Sequence, residues 1–516
     1  MKPSLERVGR VPLAGVVVTL VALLAMWRDN MNRLPFESVW PTVTVALALA
    51  AMVVVVLRPI TGNWARAGLV GGLIAAYMFY VPVAVDLLPL PRWAAIIIHL
   101  ILLAALVMVA LRIPKDAVRA AELAGKINLV AAILFLITAV PVLASQLAAE
   151  PVRAKASSSF AALDGRAAAD SPDVWHLLFD RYAGLETFRT AYGYDNRPFV
   201  EALRKRGFAV QGQAYSNYQR TGHSVASTLN GTLLDPLAAT MADRPDDWVP
   251  IYRSMRDSAA LNVFNRMGYK TIFAGSWWEP TRFSASASQS LRIRAMPQLA
   301  RLAIDRSAFG FWAKDFSLPW LDGRVDQCFR ANEKFRRLTQ ISGSPGRKQV
   351  FAHFLVPHPP FVLNANGSCR SLDQARKSSR RDNYIAQVEF ANRQALALID
   401  AISAGPRPAV IVIHSDEGPW PLPYVGNEHG LGTDPVQVPW AELPTDKLRD
   451  KMAILLAMRG PSGPPRTMPA SPVQIYPAIL RDHFGSSAEL PPSRHAIFES
   501  DNALYRFTDV SEKLKR

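Results

Sequence analysis

The chain has 516 residues, carries a formal net charge of +16 and is 50% hydrophobic. That hydrophobic share is high for a wholly soluble protein, and the length is enough for two or three domains. The apolar excess is concentrated in the first third, whereas residues after about Pro151 have the charge and Pro/Gly content of an ordinary globular domain. The composition therefore argues against a wholly soluble protein and divides the chain near residue 150.

The N-terminal third contains a series of apolar windows, each long enough to cross roughly 30 Å of hydrocarbon. They run from Val11 to Trp27, Val39 to Leu57, Leu69 to Leu88, Trp93 to Leu111 and Ile127 to Leu147. A cleavable signal peptide is the alternative for the first window, but no small-residue cleavage site follows it and further spans do. We therefore expect residues 1–150 to form a transmembrane domain of five helices.

Basic residues in the loops predict the orientation of these helices. If the N-terminus is cytoplasmic, the inner side holds Lys2, Arg7, Arg10, Arg58, Arg66, Arg112, Lys115, Arg119 and Lys126, and the outer side holds only Arg28, Arg33 and Arg92. Positive residues prefer the cytoplasmic side, and an odd number of spans puts everything after Leu147 on the far side. The loops thus predict a multi-pass membrane protein with a large extracytoplasmic domain. The Ala- and Arg-rich composition favours a bacterial inner membrane, with that domain in the periplasm.

The remainder of the chain has the pattern of an α/β domain. Residues 151–172 are predicted to be a linker or a helix near the membrane, and residues 173–516 the outer domain. Short apolar strands are predicted at Val174 to Phe179, Thr271 to Ala274, Val350 to Leu355, Val410 to His414 and Met452 to Met458. Helices are predicted between them at Arg197 to Arg206, Ser224 to Leu234, Asn383 to Ala401 and Val473 to Phe484. Strands that alternate with helices in this way indicate a mostly parallel sheet flanked by helices.

Acidic residues follow two of the predicted strands. Asp180 follows the first, and Asp416 and Glu417 follow the fourth. In an open parallel sheet, ligands collect at the carboxyl ends of the strands, so these side chains are expected to meet. Three carboxylates suit one hard divalent cation that prefers oxygen ligands. The alternative is that Asp180 and Asp416 only cap the turns or helices that follow them.

A hydroxyl and two histidines complete the set of candidate residues. Thr221 lies where a polar loop enters a predicted helix, where it could bind metal and act as a nucleophile, or simply be an N-cap. His358 and His429 lie in loops where substrate phosphate contacts or leaving-group protonation would be needed. His353 and His414 lie within predicted strands, where a histidine is usually structural, so neither is assigned to the site.

The order of these features resembles the alkaline phosphatase and sulfatase superfamily. The nearest branch is similar to the membrane-anchored lipoteichoic acid synthases and lipid A phosphoethanolamine transferases, which also join five transmembrane helices to an outer catalytic domain. The resemblance implies that Asp180, Thr221 and Asp416 are metal ligands and that Thr221 becomes covalently modified. It also implies that the run Ser471 to Pro477 belongs to a late helix near the site.

Two departures qualify what the resemblance implies. The family usually has His at the position of Glu417, and a carboxylate there shifts the expected metal from Zn²⁺ toward Mn²⁺ or Mg²⁺. The Cys/Ser-x-Pro/Ala-x-Arg motif of ordinary sulfatases is absent around Cys328 and Cys369, so phosphoryl-type transfer is favoured over sulfate ester hydrolysis. These two cysteines could form a disulfide outside the membrane or remain free thiols.

The resulting hypothesis is a metal-dependent transferase that moves a phosphoryl-linked head group from a lipid donor to an envelope glycan or lipid through a threonine intermediate. The alternatives are an extracytoplasmic phosphodiesterase or sulfatase-like hydrolase, and an inactive membrane-anchored binding module. The expected partners are membrane lipids and an anionic phospholipid or envelope glycan substrate, which the positive charge would attract. No nucleic acid partner is expected, and the sequence leaves the oligomeric state open.

Overall fold

The computed structural model describes residues 5–157, 159–313, 323–422, 424–425 and 438–515. They form two compact units. The first unit runs to Pro151 and includes a segment that begins at Met296. The second unit contains Val152–Ala295 and the residues described after position 322.

Long apolar helices make up the first unit. They are α2 (Ala14–Arg28), α3 (Phe36–Thr61), α4 (Trp64–Asp86), α5 (Arg92–Arg112) and α6 (Ala117–Ser157), preceded by the short α1 (Leu5–Gly9). Among the described residues, α3 to α6 are each long and apolar enough to cross a membrane. The apolar helix α2 has 15 residues, a length of about 22 Å. Four of the predicted windows thus coincide with helices of membrane-spanning length, and the first with a shorter one.

Small residues allow α2 and α4 to approach closely. A methyl group on Gly15 would lie 3.0 Å from the backbone of Gly71, which is tighter than most Cβ contacts in proteins. Such small-residue contacts are typical of helix pairs in membranes.

The segment after Met296 also belongs to the first unit, which the sequence-based domain boundaries do not anticipate. It forms α13 (Gln298–Asp305) and α14 (Ala308–Ala313). The Phe311 ring stacks on His99 of α5 at 3.7 Å between ring centres, and the Arg92 guanidinium lies 3.8 Å from the same ring. Likewise, α6 extends to Ser157, into the stretch predicted as a linker.

The second unit is built on a seven-stranded sheet of order β2-β9-β7-β1-β6-β4-β5. The strands are β1 (Asp173–Phe179), β2 (Ala209–Val210), β4 (Lys270–Ala274), β5 (Gln289–Ser290), β6 (Lys348–Phe354), β7 (Ala409–Ser415) and β9 (Leu456–Arg459). Two short antiparallel ladders pair β3 (Ala214–Tyr215) with β8 (Ala453–Ile454) and β10 (Ala496–Ile497) with β11 (Thr508–Asp509).

Helices flank this sheet. They are α7 (Leu185–Tyr192), α8 (Arg197–Lys205), α9 (Thr221–Asn230), α10 (Asp235–Thr240), α11 (Val249–Arg256), α12 (Ala259–Arg266), α15 (Gly323–Ser342), α16 (Leu372–Arg376), α17 (Arg380–Ser403), α18 (Thr445–Met452), α19 (Ile475–Phe484) and α20 (Ser511–Lys515). Short 3-10 helices occupy Glu279–Thr281, Trp440–Glu442 and Pro472–Gln474.

Strand β1 lies at the centre of the sheet and pairs in parallel with both β6 and β7. Its seven residues are all buried, because alternate side chains enter the hydrophobic cores on opposite faces. Val174 and Leu178 enter one core, whereas Trp175, Leu177 and Phe179 enter the other. A strand that is covered on both faces has a nearly continuous run of apolar residues, and this run allowed β1 to be predicted from the sequence.

The predicted fold class is confirmed, with two differences at the last predicted strand. The stretch Met452 to Met458 is divided into β8 and β9, and β9 runs antiparallel to β7. The structure also joins Cys328 to Cys369 in a disulfide, the alternative that the sequence left open.

Candidate metal centre and its surroundings

Asp180 follows β1 at the carboxyl edge of the sheet. Its backbone N–H donates to the Phe354 carbonyl of β6 at 2.9 Å, so its position is set by the strand ladder. The side chain is buried, and its Oδ2 lies 3.3 Å from Nε2 of His353. Its Oδ1 has no hydrogen-bond partner. A buried carboxylate oxygen without a partner is costly unless a proton or cation lies beside it.

Asp416 and Glu417 follow β7 at the same edge, next to β1. Asp416 Oδ1 accepts from the backbone N–H of Arg181 at 3.1 Å. Glu417 Oε1 accepts from Arg181 Nε at 3.1 Å and lies 2.8 Å from Lys451 Nζ. Asp416 Oδ2 and Glu417 Oε2, like Asp180 Oδ1, are buried without a partner. Each of the three acids therefore presents one unsatisfied oxygen.

The three acids form a cluster that fits a divalent cation. One ligand atom from each lies within 4.8 Å of the others. Burial raises the pKa of Asp180 to about 7, and burial together with the charges of Asp180 and Glu417 raises the pKa of Asp416 to about 8. Without a cation, the cluster therefore holds protons near neutral pH. An all-oxygen donor set matches Mn²⁺ or Mg²⁺ better than a metal that prefers nitrogen or sulfur.

Thr221 joins this cluster as the first residue of α9. Arg220 is the N-cap, with φ −132° and ψ 138°, so the alternative interpretation of Thr221 as an N-cap is wrong. The Thr221 hydroxyl lies close enough to Asp416 to counteract part of the rise in the pKa of that carboxyl. The hydroxyl thus lies beside the carboxylates and at the positive end of a helix, where backbone N–H groups favour an anion.

Two backbone features hold the acidic residues in place. Arg181 has a positive φ of 58°, an uncommon conformation for a residue with a side chain. In this conformation the Arg181 N–H reaches Asp416 while its guanidinium reaches Glu417. Gly418 follows, and a methyl group there would lie 2.4 Å from the Asp450 carbonyl oxygen. The glycine that follows Asp416 and Glu417 is therefore required by close backbone packing.

Three cations surround the acidic cluster and share one aromatic ring. Arg181, Arg220 and Lys451 lie 5.3, 5.2 and 5.4 Å from the ring centre of Trp420, which is 2% exposed. Arg220 also pairs with Asp501 at 3.3 Å. Cations held against an aromatic face are attracted to its negative centre. The acids thus have positively charged side chains around them, and these can offset the charge of an anionic substrate.

His358 lies close enough to Arg181 and Lys451, the two cations that contact Glu417, for their charges to act on its ring. Its Nδ1 hydrogen-bonds to the Pro359 carbonyl, which can only accept, so Nδ1 carries the proton. Burial, together with the charges of Arg181 and Lys451, holds the pKa of His358 well below its usual range. A neutral imidazole with its proton on Nδ1 offers Nε2 as an acceptor. Leaving-group protonation by Nε2 does not match this state, because the proton of the ring is on Nδ1 and is donated to Pro359.

The two strand histidines have different surroundings. His414 Nε2 lies 2.7 Å from Nε2 of His176, which in turn contacts the Tyr476 hydroxyl at 3.0 Å, so His414 belongs to a buried polar chain beneath the site. His353 contacts Asp180 directly, and sequence reasoning missed it. Its signal was a single polar residue in the otherwise apolar strand predicted from Val350 to Leu355.

Two further predictions concern the surroundings of the site. His429 lies outside the described residues. The run Ser471 to Pro477 packs against the loop that leads to Thr221, because Asn217 accepts from the Val473 N–H at 2.9 Å and donates to the Ser471 hydroxyl at 3.1 Å.

Comparison with known proteins gives structural likenesses alone. No family model and no curated protein matches the chain. Among solved structures, it is similar to the C-terminal periplasmic domain of EcEptC from Escherichia coli in complex with Zn, with 11% identity, 68% of this chain and 96% of that chain covered, and a TM-score of 0.42.

Two other solved structures are also similar. The integral membrane lipooligosaccharide phosphoethanolamine transferase A from Neisseria meningitidis has 11% identity, covers 87% of this chain and 88% of its own, and gives a TM-score of 0.35. A protein from Vibrio parahaemolyticus, described as in the alkaline phosphatase superfamily, has 13% identity, covers 67% and 79%, and gives 0.39. At these TM-scores the likenesses carry no argument about function, which has to come from the side chains of the site.

Proposed function

We propose that the chain is a membrane-bound, metal-dependent transferase that moves a phosphoryl-linked head group from a lipid donor to an envelope glycan or lipid through a threonine intermediate. The observation that carries the proposal is the meeting of one hydroxyl, Thr221, with three buried carboxylates that each have an unpartnered oxygen. The apolar helices of the first unit support a donor drawn from the membrane.

The residues that would hold the cation are Asp180, Asp416, Glu417 and Thr221. A bound divalent cation would supply positive charge that lowers the pKa of the hydroxyl and offsets charge on the phosphoryl oxygens. The Thr221 hydroxyl lies close enough to Asp416 to influence the pKa of that carboxyl, so its oxygen lies beside the cluster. The start of α9 also contributes backbone N–H groups, whose partial positive charge favours the oxygens of a phosphoryl group.

The reaction consists of two displacements at phosphorus. In the first, Thr221 Oγ forms a bond to phosphorus as the bond to the glycerol oxygen breaks, and the proton lost by Thr221 is matched by the proton gained by diacylglycerol. In the second, an acceptor hydroxyl attacks the phosphothreonine and restores the Thr221 hydroxyl. Arg181, Arg220 and Lys451 offset the charge of the phosphoryl group.

His358 is assigned to the second displacement. Its unprotonated Nε2 can take the proton of the acceptor hydroxyl, which makes that oxygen a better nucleophile. The role follows from its tautomer and replaces the leaving-group protonation considered from the sequence.

The test uses the purified full-length protein incubated with phospholipid vesicles, followed by elemental analysis and intact mass. Wild type should carry one divalent metal and gain the mass of a head group. Thr221→Ala should gain no mass. Ser224→Ala is the matched control, because it removes another buried hydroxyl from the first turns of the same helix, one without a hydrogen-bond partner, and should still gain mass.

Other outcomes separate the alternatives. A metal-loaded protein that releases a phosphorylated product to water without transferring it to an acceptor would be a hydrolase. A protein that carries no metal and gains no mass while correctly folded would contradict the proposal and favour a binding module. In that case Lys451 and Arg181 would balance the charge of Glu417 without a metal.

A further inference from the structure

His353 begins a chain of hydrogen bonds behind Asp180. The side chain is fully buried in β6, and its Nε2 lies 3.3 Å from Asp180 Oδ2. On the other side of the ring, Nδ1 lies 2.9 Å from the Thr281 hydroxyl, which lies 2.8 Å from the Ser276 hydroxyl. Ser276 Oγ in turn accepts from the backbone N–H of Trp278 at 3.1 Å.

With Asp180 ionised, the protons of this chain can be arranged in one way. The carboxylate only accepts, so Nε2 of His353 carries the ring proton. A neutral imidazole then accepts at Nδ1, so the Thr281 hydroxyl donates to it. Because the Thr281 proton is used, the Ser276 hydroxyl donates to Thr281. Each donor therefore has one acceptor, and the chain fixes the tautomer of His353.

In this arrangement the two oxygens of Asp180 have different surroundings. Oδ2 is occupied by His353, and Oδ1 is left without a partner, in the acidic cluster. The chain is anchored at both ends, because the Ser276 N–H donates to the Thr281 carbonyl at 3.0 Å and the Lys334 ammonium donates to the His353 carbonyl. The ring of His353 is therefore held at both nitrogens, and the Asp180 carboxylate is held through Oδ2.

We propose that His353 is a positioning residue, held by Thr281 and Ser276, that fixes Asp180 so that its Oδ1 serves as a ligand of a divalent cation. The proposal rests on the cation site of the proposed function, but not on the transfer reaction. Partners of this kind behind a metal ligand typically contribute about 10- to 100-fold in metal affinity.

The test is calorimetric titration of the metal-free, full-length protein in detergent with Mn²⁺ alone. His353→Leu removes the donor and should weaken Mn²⁺ binding by about 10- to 100-fold. His353→Gln should bind close to wild type, because its amide N–H can donate to Asp180 while its carbonyl accepts from Thr281. Thr281→Val removes the donor to Nδ1 and should weaken binding less than His353→Leu does.

His495→Leu is the matched control. His495 is another buried histidine of the second unit, whose Nδ1 contacts the Ser216 carbonyl at 2.9 Å. Its loss should lower the unfolding temperature without changing the Mn²⁺ affinity. If His353→Leu does not fold, the Mn²⁺ affinities of His353→Gln and Thr281→Val still test the proposal. The first should match wild type and the second should be weaker.

Two results would overturn the proposal. One is Mn²⁺ binding as tight in His353→Leu and Thr281→Val as in wild type. The other is a wild type that binds no divalent cation. A wild type that binds Mn²⁺ but forms no threonine adduct would instead contradict the proposed function alone, and the affinities would still test the role of His353.

Discussion

Replacing Lys451 with methionine tests the charge balance of the acidic cluster. Lys451 Nζ lies 2.8 Å from Glu417 Oε1, and the exposed fractions of the two side chains are 0% and 2%. Methionine has a similar length and no charge, so Lys451→Met removes the charge while largely keeping the packing. The remaining protein partner of Glu417 Oε1 is Arg181, whose Nε is 3.1 Å away.

The expected loss of stability follows from the burial of this pair. Removing one partner of a buried ion pair typically costs about 3–5 kcal/mol, because the other charge stays buried. Glu417 retains Arg181, so we expect the lower end, about 3 kcal/mol, which corresponds to a fall of roughly 4–5 °C in the unfolding temperature of a domain of this size. The extra negative charge should also bind a cation more tightly, so Mn²⁺ should stabilise the variant more than wild type.

The assay is thermal unfolding of the full-length protein in detergent at neutral pH, with a chelator and then with Mn²⁺. Lys334→Met is the matched control, because Lys334 is also a buried lysine but donates to the His353 carbonyl and has no carboxylate partner among its described contacts. Burial works against the charged form of Lys334, so the loss of Lys334 should destabilise the protein less than the loss of Lys451. A Lys451→Met protein as stable as wild type in chelator, or stabilised no more by Mn²⁺, would refute the reasoning.

Three further outcomes are expected. Burial lowers the pKa of Lys334 from 10.5 to about 7. Between these pH values the folded state binds fewer protons than the unfolded state, so folding becomes more favourable as the pH rises. Thermal unfolding should therefore show that the stability of wild type relative to Lys334→Met increases from pH 7 to 9. Replacing both Cys328 and Cys369 with serine opens a link across 41 residues, and denaturant unfolding should show a loss of about 4 kcal/mol. His358→Gln should slow decay of the threonine adduct by about 10²-fold, measured by intact mass over time, with adduct formation less affected; equal decay rates would contradict the assigned role.

The parts of the site that the sequence could predict are those fixed by the sheet. Asp180, Asp416 and Glu417 each follow a buried apolar strand, and parallel neighbouring strands end at the same edge. Their meeting therefore follows from strand recognition alone. Thr221 could be placed at a helix start for a similar local reason, because a polar loop precedes an apolar run.

The partners of these residues could not be predicted, because each comes from elsewhere in the chain. Lys451 lies in α18, and nothing near it in sequence relates it to Glu417. His353 is one histidine within an apolar strand, and only the pairing of β6 with β1 shows that it faces Asp180. Thr281 lies in a 3-10 turn after β4. Long-range hydrogen bonds of this kind leave no periodic pattern to recognise.

The departure at position 417 has a physical explanation in these contacts. The family that the sequence resembles has a histidine there, which as a metal ligand is neutral. Here the proposed ligand position holds Glu417, whose negative charge is matched at 2.8 Å by the buried Lys451. A carboxylate with a buried lysine has the same net charge as a neutral imidazole, so the exchange alters the donor atom from nitrogen to oxygen while keeping the charge of the cluster. On this argument Glu417 and Lys451 act as one unit, and Lys451→Met disturbs the charge that the exchange otherwise preserves.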